Sequence, residues 1–276
     1  MTTEPRVRLL VDDLVFGEGP RWRDDRLWFS DMHGERVHTV DMAGRLETVV
    51  ELPGRRPSGL GFLPDGSLLI VSMLEREVLR WRDGELSVHA DLSGVVENGC
   101  NDMVVEAGGR AYVGSFPRPP EPGVIVLVET DGTARVVAED LQFPNGMVIT
   151  AAGSLIAAES LGKCFTEFTI GADGSLHDRR PFADTQPNTP DGICLDAEGA
   201  VWGAMTMNGT FVRIGRGGEV LDTVSLADRF AIACALGGPD GHTLFMLSAD
   251  TYAPDRDHSV RHGTLHVAEV PVPAAS

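Results

Sequence analysis

The chain has 276 residues, 42% of them hydrophobic and 23% charged, with 41 acidic against 23 basic side chains and a formal net charge of −18. That balance fits a globular protein with a core to bury, and the negative charge argues against nucleic-acid backbones and anionic membrane surfaces as partners. No apolar run approaches the ~20 residues of a membrane span, and the N-terminal MTTEPRVRLLVDD has no apolar signal core, so a cytoplasmic location is expected. Short apolar runs then follow in order, starting at Leu27, Leu68, Ala111, Leu155, Val201 and Leu244. Asp-Gly pairs at 65–66, 83–84, 131–132, 173–174 and 240–241 separate strand-like segments, a hairpin signal. Within each unit a second and third strand follow, as in Arg36–Val40 and Leu46–Val50. Six recurrences at a spacing of about 41–46 residues, each holding several short strands, predict an all-β, six-bladed β-propeller. No linker interrupts the pattern, so residues 1–276 are expected to form one domain. The last unit is one strand short, and Val7–Val11 is expected to complete it and close the ring.

The register of these repeats places chemistry. Ten residues before five of the runs stand Ser58, Asn101, Asn145, Asp191 and Cys234, and nine before the first stands Glu18. Glycine directly follows four of the six. Equivalent positions on innermost strands converge on the central channel, so Glu18, Asn101, Asn145 and Asp191 are expected to face one another there. Two carboxylates and two amides in one interior site call for neutralisation. Lys163 is the sole lysine and lies elsewhere in the register. A divalent cation is the economical answer; all-oxygen ligands favour Ca²⁺, Mg²⁺ or Mn²⁺, and Zn²⁺ also accepts carboxylates. Residues just after the apolar runs are expected to ring the same mouth: Met32, His33, Met73, Phe116, Ser160, Met205 and Ser248. Of these, His33, Met73, Phe116 and Met205 are the named candidate substrate contacts, a set more apolar than a polyol requires.

The motifs Gly17-Glu18-Gly19-Pro20, Asn101-Asp102-Met103-Val104, Phe143-Pro144-Asn145-Gly146-Met147 and Pro190-Asp191-Gly192-Ile193 resemble those of the regucalcin/senescence-marker-protein and gluconolactonase family, in order along nearly the whole chain. The resemblance implies a six-bladed propeller with one divalent metal in the channel, Ca²⁺ foremost. By position it makes Glu18, Asn145 and Asp191 metal ligands, Asn101 a residue contacting substrate or supporting the metal, and Asp191 also the general base. Sugar-lactonase members carry an arginine two residues before the Asn101 position, where this chain has Gly99. The expected function is metal-dependent opening of a small, partly hydrophobic lactone or related ester, with a polarised carbonyl and Asp191-assisted attack of water. Two alternatives stand beside it: a metal-dependent lyase, isomerase or cyclase on the same scaffold, and a non-catalytic calcium-binding propeller.

Other signals carry less. Cys100, Cys164, Cys194 and Cys234 share no C-x-x-C spacing, so no zinc knuckle or disulfide framework is expected. His258, His262 and His266 are four apart but fall in segments that read as loop and strand, so solvated histidines are expected. No Gly-x-Ser-x-Gly elbow is present. Oligomeric state has no signature in the sequence.

Overall fold

The computed structural model describes residues 6–251 and 261–275; His258 lies outside them. Among the described residues, the strands form six four-stranded antiparallel sheets. Numbered as blades in chain order, their innermost strands are Gly17–Arg23, Pro57–Phe62, Cys100–Val105, Pro144–Ile149, Pro190–Leu195 and Phe230–Gly237. Each packs on the inner strand of the next blade, and that of blade 6 returns to blade 1. The result is the six-bladed β-propeller. The strand Arg8–Leu14 completes blade 6 by pairing antiparallel with Gly263–Glu269, as strand counting anticipates. Its Val11 and Leu14 are buried against Phe245, Leu247 and Leu265. Among the described residues no helix is long and apolar enough to cross a membrane.

Stacking explains why the central runs are apolar throughout rather than alternating. The second strands Leu68–Ser72, Ala111–Ser115 and Val201–Met205 are buried along their whole length, because neighbouring blades cover both faces. Outer strands such as Leu46–Glu51 and Val220–Ser225 are mostly exposed. The Asp-Gly pairs turn as expected. In the 83–84 pair both residues have positive φ, 51° and 87°, the geometry of a two-residue hairpin turn. In the others the Asp side chain accepts from a backbone N–H two residues on, as Asp65 Oδ1 does from Ser67 at 3.0 Å.

The glycines that follow the channel register have a packing role. Built onto Gly59, a Cβ would lie 2.3 Å from the Met103 nitrogen of the next blade; on Gly146 it would lie 2.5 Å from the Ile193 nitrogen, and on Gly192 2.4 Å from the Ala233 Cβ. Inner strands approach this closely only where a side chain is missing. Gly192→Ala is therefore expected to destabilise the fold by about 2–4 kcal/mol through overpacking against an unyielding backbone. The check is the shift in urea midpoint relative to Gly153→Ser. Gly153 has open space around it but a positive φ of 78°, so that substitution reports turn strain alone.

Candidate functional site

Every inner strand slips register against its neighbour near its start: between Glu18 and Arg21, Pro57 and Leu60, Cys100 and Met103, Pro144 and Met147, Pro190 and Ile193, and Ala231 and Ala233. A bulge leaves one residue out of the ladder and re-aims its side chain. The residues so placed are Ser58, Asn101, Asn145, Asp191 and Ile232; in blade 1 the slip follows Glu18, which stays paired with Ser30 at the edge of the bulge. Glu18, Asn101, Asn145 and Asp191, from blades 1, 3, 4 and 5, line one cavity of about 170 Å³. They are 6, 5, 5 and 2% exposed, so their polar atoms must find partners inside the protein or in a ligand.

Two expectations of the register need correction. The sixth channel position is Ile232, not Cys234. In blade 6 the inner strand carries one extra residue and the second strand begins at Thr243, one residue before Leu244, which together displace a count made back from Leu244 by two. Ile232 joins an apolar cluster with Phe16, Met32, Met73 and Ala249. Cys234 lies toward the opposite mouth, its Sγ 3.6 Å from that of Cys194, and both thiols are free. The second correction concerns Met205. It is the last residue of its strand, pairs with Pro190, and is fully buried in a core cluster with Phe165, Val148 and Ile193. The equivalents of Met32, Met73 and Phe116 lie one residue further on, at Ser160 and Thr206. A one-residue offset on a strand reverses the face, so Met205 packs between blades and does not line the cavity. Ser248 falls at the same offset as Met205 and is engaged by Arg229 Nε at 2.9 Å.

The remaining candidates come together. His33, Met73 and Phe116 line the cavity with the four polar residues. Phe16, Met32, Leu74, Phe143 and Arg56 also line it. His33 meets Phe16 edge-on at 5.5 Å, and Phe116 meets Phe143 edge-on at 5.0 Å. The floor is polar and the wall is carbon.

Hydrogen bonds hold the floor in place. Asn101 Nδ2 donates to the Pro144 carbonyl at 3.2 Å. Asn145 Nδ2 donates to Ser160 Oγ at 3.2 Å, and that hydroxyl donates to the Pro190 carbonyl at 2.8 Å. Thr206 Oγ1 approaches Asp191 Oδ2 at 3.5 Å, whereas Asp191 Oδ1 is buried with no hydrogen-bond partner among the described residues. Glu18 Oε2 accepts only a 3.3 Å contact from the Gly19 N–H. Burial pushes Asp191 up to about 8, aided by the negative charge of Asp102 and opposed by hydrogen bonds from Asn145 and Thr206. Burial likewise holds Glu18 well above the usual carboxylate range, with the charges of Asp191 and Asp102 adding to the effect. Asp102 occupies the slot that glycine fills in four other blades, and Arg21 pairs with it at 3.3 Å. Sequence reading gave it no role, although its departure from glycine at that slot was visible.

These atoms fit a hard dication. Among the described residues neither Glu18 nor Asp191 forms an ion pair, and Asp191 Oδ1 is an orphaned acceptor. The donors are oxygens from two carboxylates and from amides. No group of three or more His, Cys, Asp or Glu side chains is assembled for a metal among the described residues, so such an ion depends on the asparagines to complete its shell.

Comparison with known proteins places this arrangement. The chain is 28% identical over 252 residues to pentonolactonase XacC of Haloferax volcanii, covering 88% of this chain and 84% of that protein. It is 26% identical over 245 residues to the 6-deoxy-6-sulfogluconolactonase of Pseudomonas putida, covering 85% and 84%. A solved calcium-binding regucalcin from Agrobacterium tumefaciens superposes with a TM-score of 0.84 at 22% identity, covering 98% of this chain and 96% of that one. The family described as SMP-30/Gluconolactonase/LRE-like region matches residues 16–250. The chain therefore belongs to the SMP-30/Gluconolactonase/LRE-like family.

Proposed function

We propose that the protein is a divalent-metal-dependent lactonase acting on a small, partly hydrophobic lactone or related ester. The observation that carries this reading is the convergence of Glu18 and Asp191, both buried and unpaired, with Asn101 and Asn145 on one cavity. Relatives named for lactone hydrolysis, and a regucalcin described as calcium-binding, support it. Glu18, Asn145 and Asp191 would hold the ion; an oxygen-only set favours a hard dication such as Ca²⁺, Mg²⁺ or Mn²⁺ over Zn²⁺, since it gives zinc no sulfur or nitrogen, and the calcium-binding description of the regucalcin neighbour puts Ca²⁺ first. When bound, a dication supplies Lewis acidity toward an ester carbonyl and balances charge on its oxygen.

The protein's own groups divide the remaining work. Asp191 Oδ1, the orphaned acceptor, takes the proton of the attacking water. Asn101, pinned through its Nδ2 to the Pro144 carbonyl, orients water or substrate. Met73 and Phe116 shape the wall, with His33 beside them, and the cavity volume is below the ~300–1,000 Å³ of drug-sized sites, which restricts substrates to small molecules. At Gly99 a Cβ would already stand 3.2 Å from the Met73 carbonyl and 3.5 Å from the Phe116 Cβ. The wall is thus closed where an arginine would stand in a sugar-lactone site.

The test is turnover of a lactone panel before and after exhaustive chelation. Hydrolysis should fall at least about 100-fold and return with Ca²⁺, and the product should have gained one water. Full turnover after chelation contradicts the metal requirement. A product isomeric with its substrate points instead to the lyase or isomerase alternative, and no turnover with tight Ca²⁺ binding points to the non-catalytic one.

A further inference from the structure

Arg56 is the one feature of the cavity that neither the floor nor the wall explains. It lines the cavity directly and is half-buried. Among the described residues its guanidinium makes no ion pair and no hydrogen bond. Other half-buried arginines in this protein have such partners: Arg21 pairs with Asp102, Arg55 with Glu77, Arg110 with Glu106 and Arg229 with Ser248. Its backbone is fixed, because its carbonyl accepts from the Met73 N–H at 2.9 Å and the Met73 carbonyl accepts from Cys100 N–H at 3.0 Å. Arg56 is thereby tied to the wall residue Met73 and to the strand that carries Asn101. A partly desolvated guanidinium left unpaired in a ligand cavity is disfavoured unless the ligand supplies the anion.

Resting on the reading of this cavity as the substrate site, we propose that Arg56 selects a substrate carrying one carboxylate beside an apolar group. The charge count favours a single negative charge. Once the two buried carboxylates of the floor are balanced, Arg56 leaves one uncompensated positive charge in the cavity. A planar guanidinium fork also matches a carboxylate in bidentate fashion. The neighbouring surface suits the rest of such a molecule: Leu74 and Phe116 line the cavity and are exposed at its mouth, 50% and 38%, and Phe143 stands behind Phe116. The preferred substrate is then a carboxylated lactone or ester with a short hydrophobic portion, rather than a neutral polyol lactone.

The experiment uses two isosteric probes, phenylacetate and phenylacetamide, titrated calorimetrically into the calcium-loaded protein at low ionic strength. Wild type is expected to bind phenylacetate at least about tenfold tighter than the amide, the discrimination of one charge-assisted pair. In Arg56→Met the ratio should fall to within about twofold, and in Arg56→Lys, which keeps a point charge without the fork, it should lie between. Melting curves of the two variants establish that they fold. Equal binding of the two probes by wild type, no binding of phenylacetate, or a preference that survives in Arg56→Met overturns the proposal. Neither probe is a lactone, so the outcome is independent of turnover. If the preference holds while the lactone panel is inert, the lactonase reading fails and the anion site stands; if lactones are opened with no carboxylate preference, the reverse is true.

Discussion

Asp191→Asn is expected to lower lactone hydrolysis at least about 100-fold while making the chelated protein more heat-stable at pH 8 than wild type. The two effects share one cause. Among the described residues Asp191 is a buried carboxylate with an orphaned oxygen and no cationic partner, so its charge is a cost in the metal-free fold and an asset only when something needs its lone pairs. An unfolded chain releases the proton near pH 4, whereas the folded protein holds it to about 8. Between those limits the folded state binds more protons at this group, so the Asp191 contribution to metal-free stability is greatest below about pH 4 and falls as pH rises to about 8. Glu18, shifted the same way by burial, adds to the fall. The asparagine variant removes the Asp191 contribution, so its melting temperature should match wild type near pH 4 and exceed it at pH 8. Melting curves with chelator at the two pH values check this. An asparagine variant less stable than wild type at pH 8 would mean that the Asp191 charge is already compensated in the fold.

Removing residues 1–14 is expected to abolish cooperative folding. The strand Arg8–Leu14 supplies the outer strand of blade 6, and it buries Val11 and Leu14 in a cluster that also holds Leu265 of the adjacent strand, Phe245 and Leu247 of the second strand of blade 6, and Leu27 and Phe29 of blade 1. Its loss strips the latch between first and last blades and exposes an unpaired edge on Gly263–Glu269, which invites aggregation. Just beyond it, the Phe16 N–H donates to the buried Asp31 carboxylate at 2.7 Å, so the disturbance would reach the start of the strand that carries Glu18. Circular dichroism melts and size-exclusion profiles of the truncated chain decide the matter: a sharp transition with a monomeric profile would show that the latch is dispensable.

Most of this architecture was legible because propellers repeat. Apolar second strands, Asp-Gly turns and a near-constant period exposed six units, and the missing strand in the last unit pointed to the N-terminal segment. The floor of the site was legible for the same reason, since Asn101, Asn145 and Asp191 keep one offset from their neighbouring strands and Glu18 falls one residue short of it. The failures lie where that offset changes. A longer first hairpin in blade 6 moved Ile232 into the place assigned to Cys234, and a count one residue short put Met205 where Thr206 belongs. Asp102 and Arg56 escaped notice for another reason. Their importance comes from neighbours in other blades, through charge in one case and the lack of a partner in the other, and neither property is written in local spacing.

The central claim is that Glu18, Asn145 and Asp191, set at the register slips of three separate inner strands, together bind one dication. Isothermal titration of the chelator-stripped protein with CaCl₂, paired with elemental analysis of the dialysed complex, tests it most directly. One ion per chain is predicted, with binding lost in both Glu18→Ala and Asp191→Ala. No binding up to about 1 mM Ca²⁺, the weak end of protein calcium sites, and none of Mg²⁺, Mn²⁺ or Zn²⁺ under the same conditions, would contradict it.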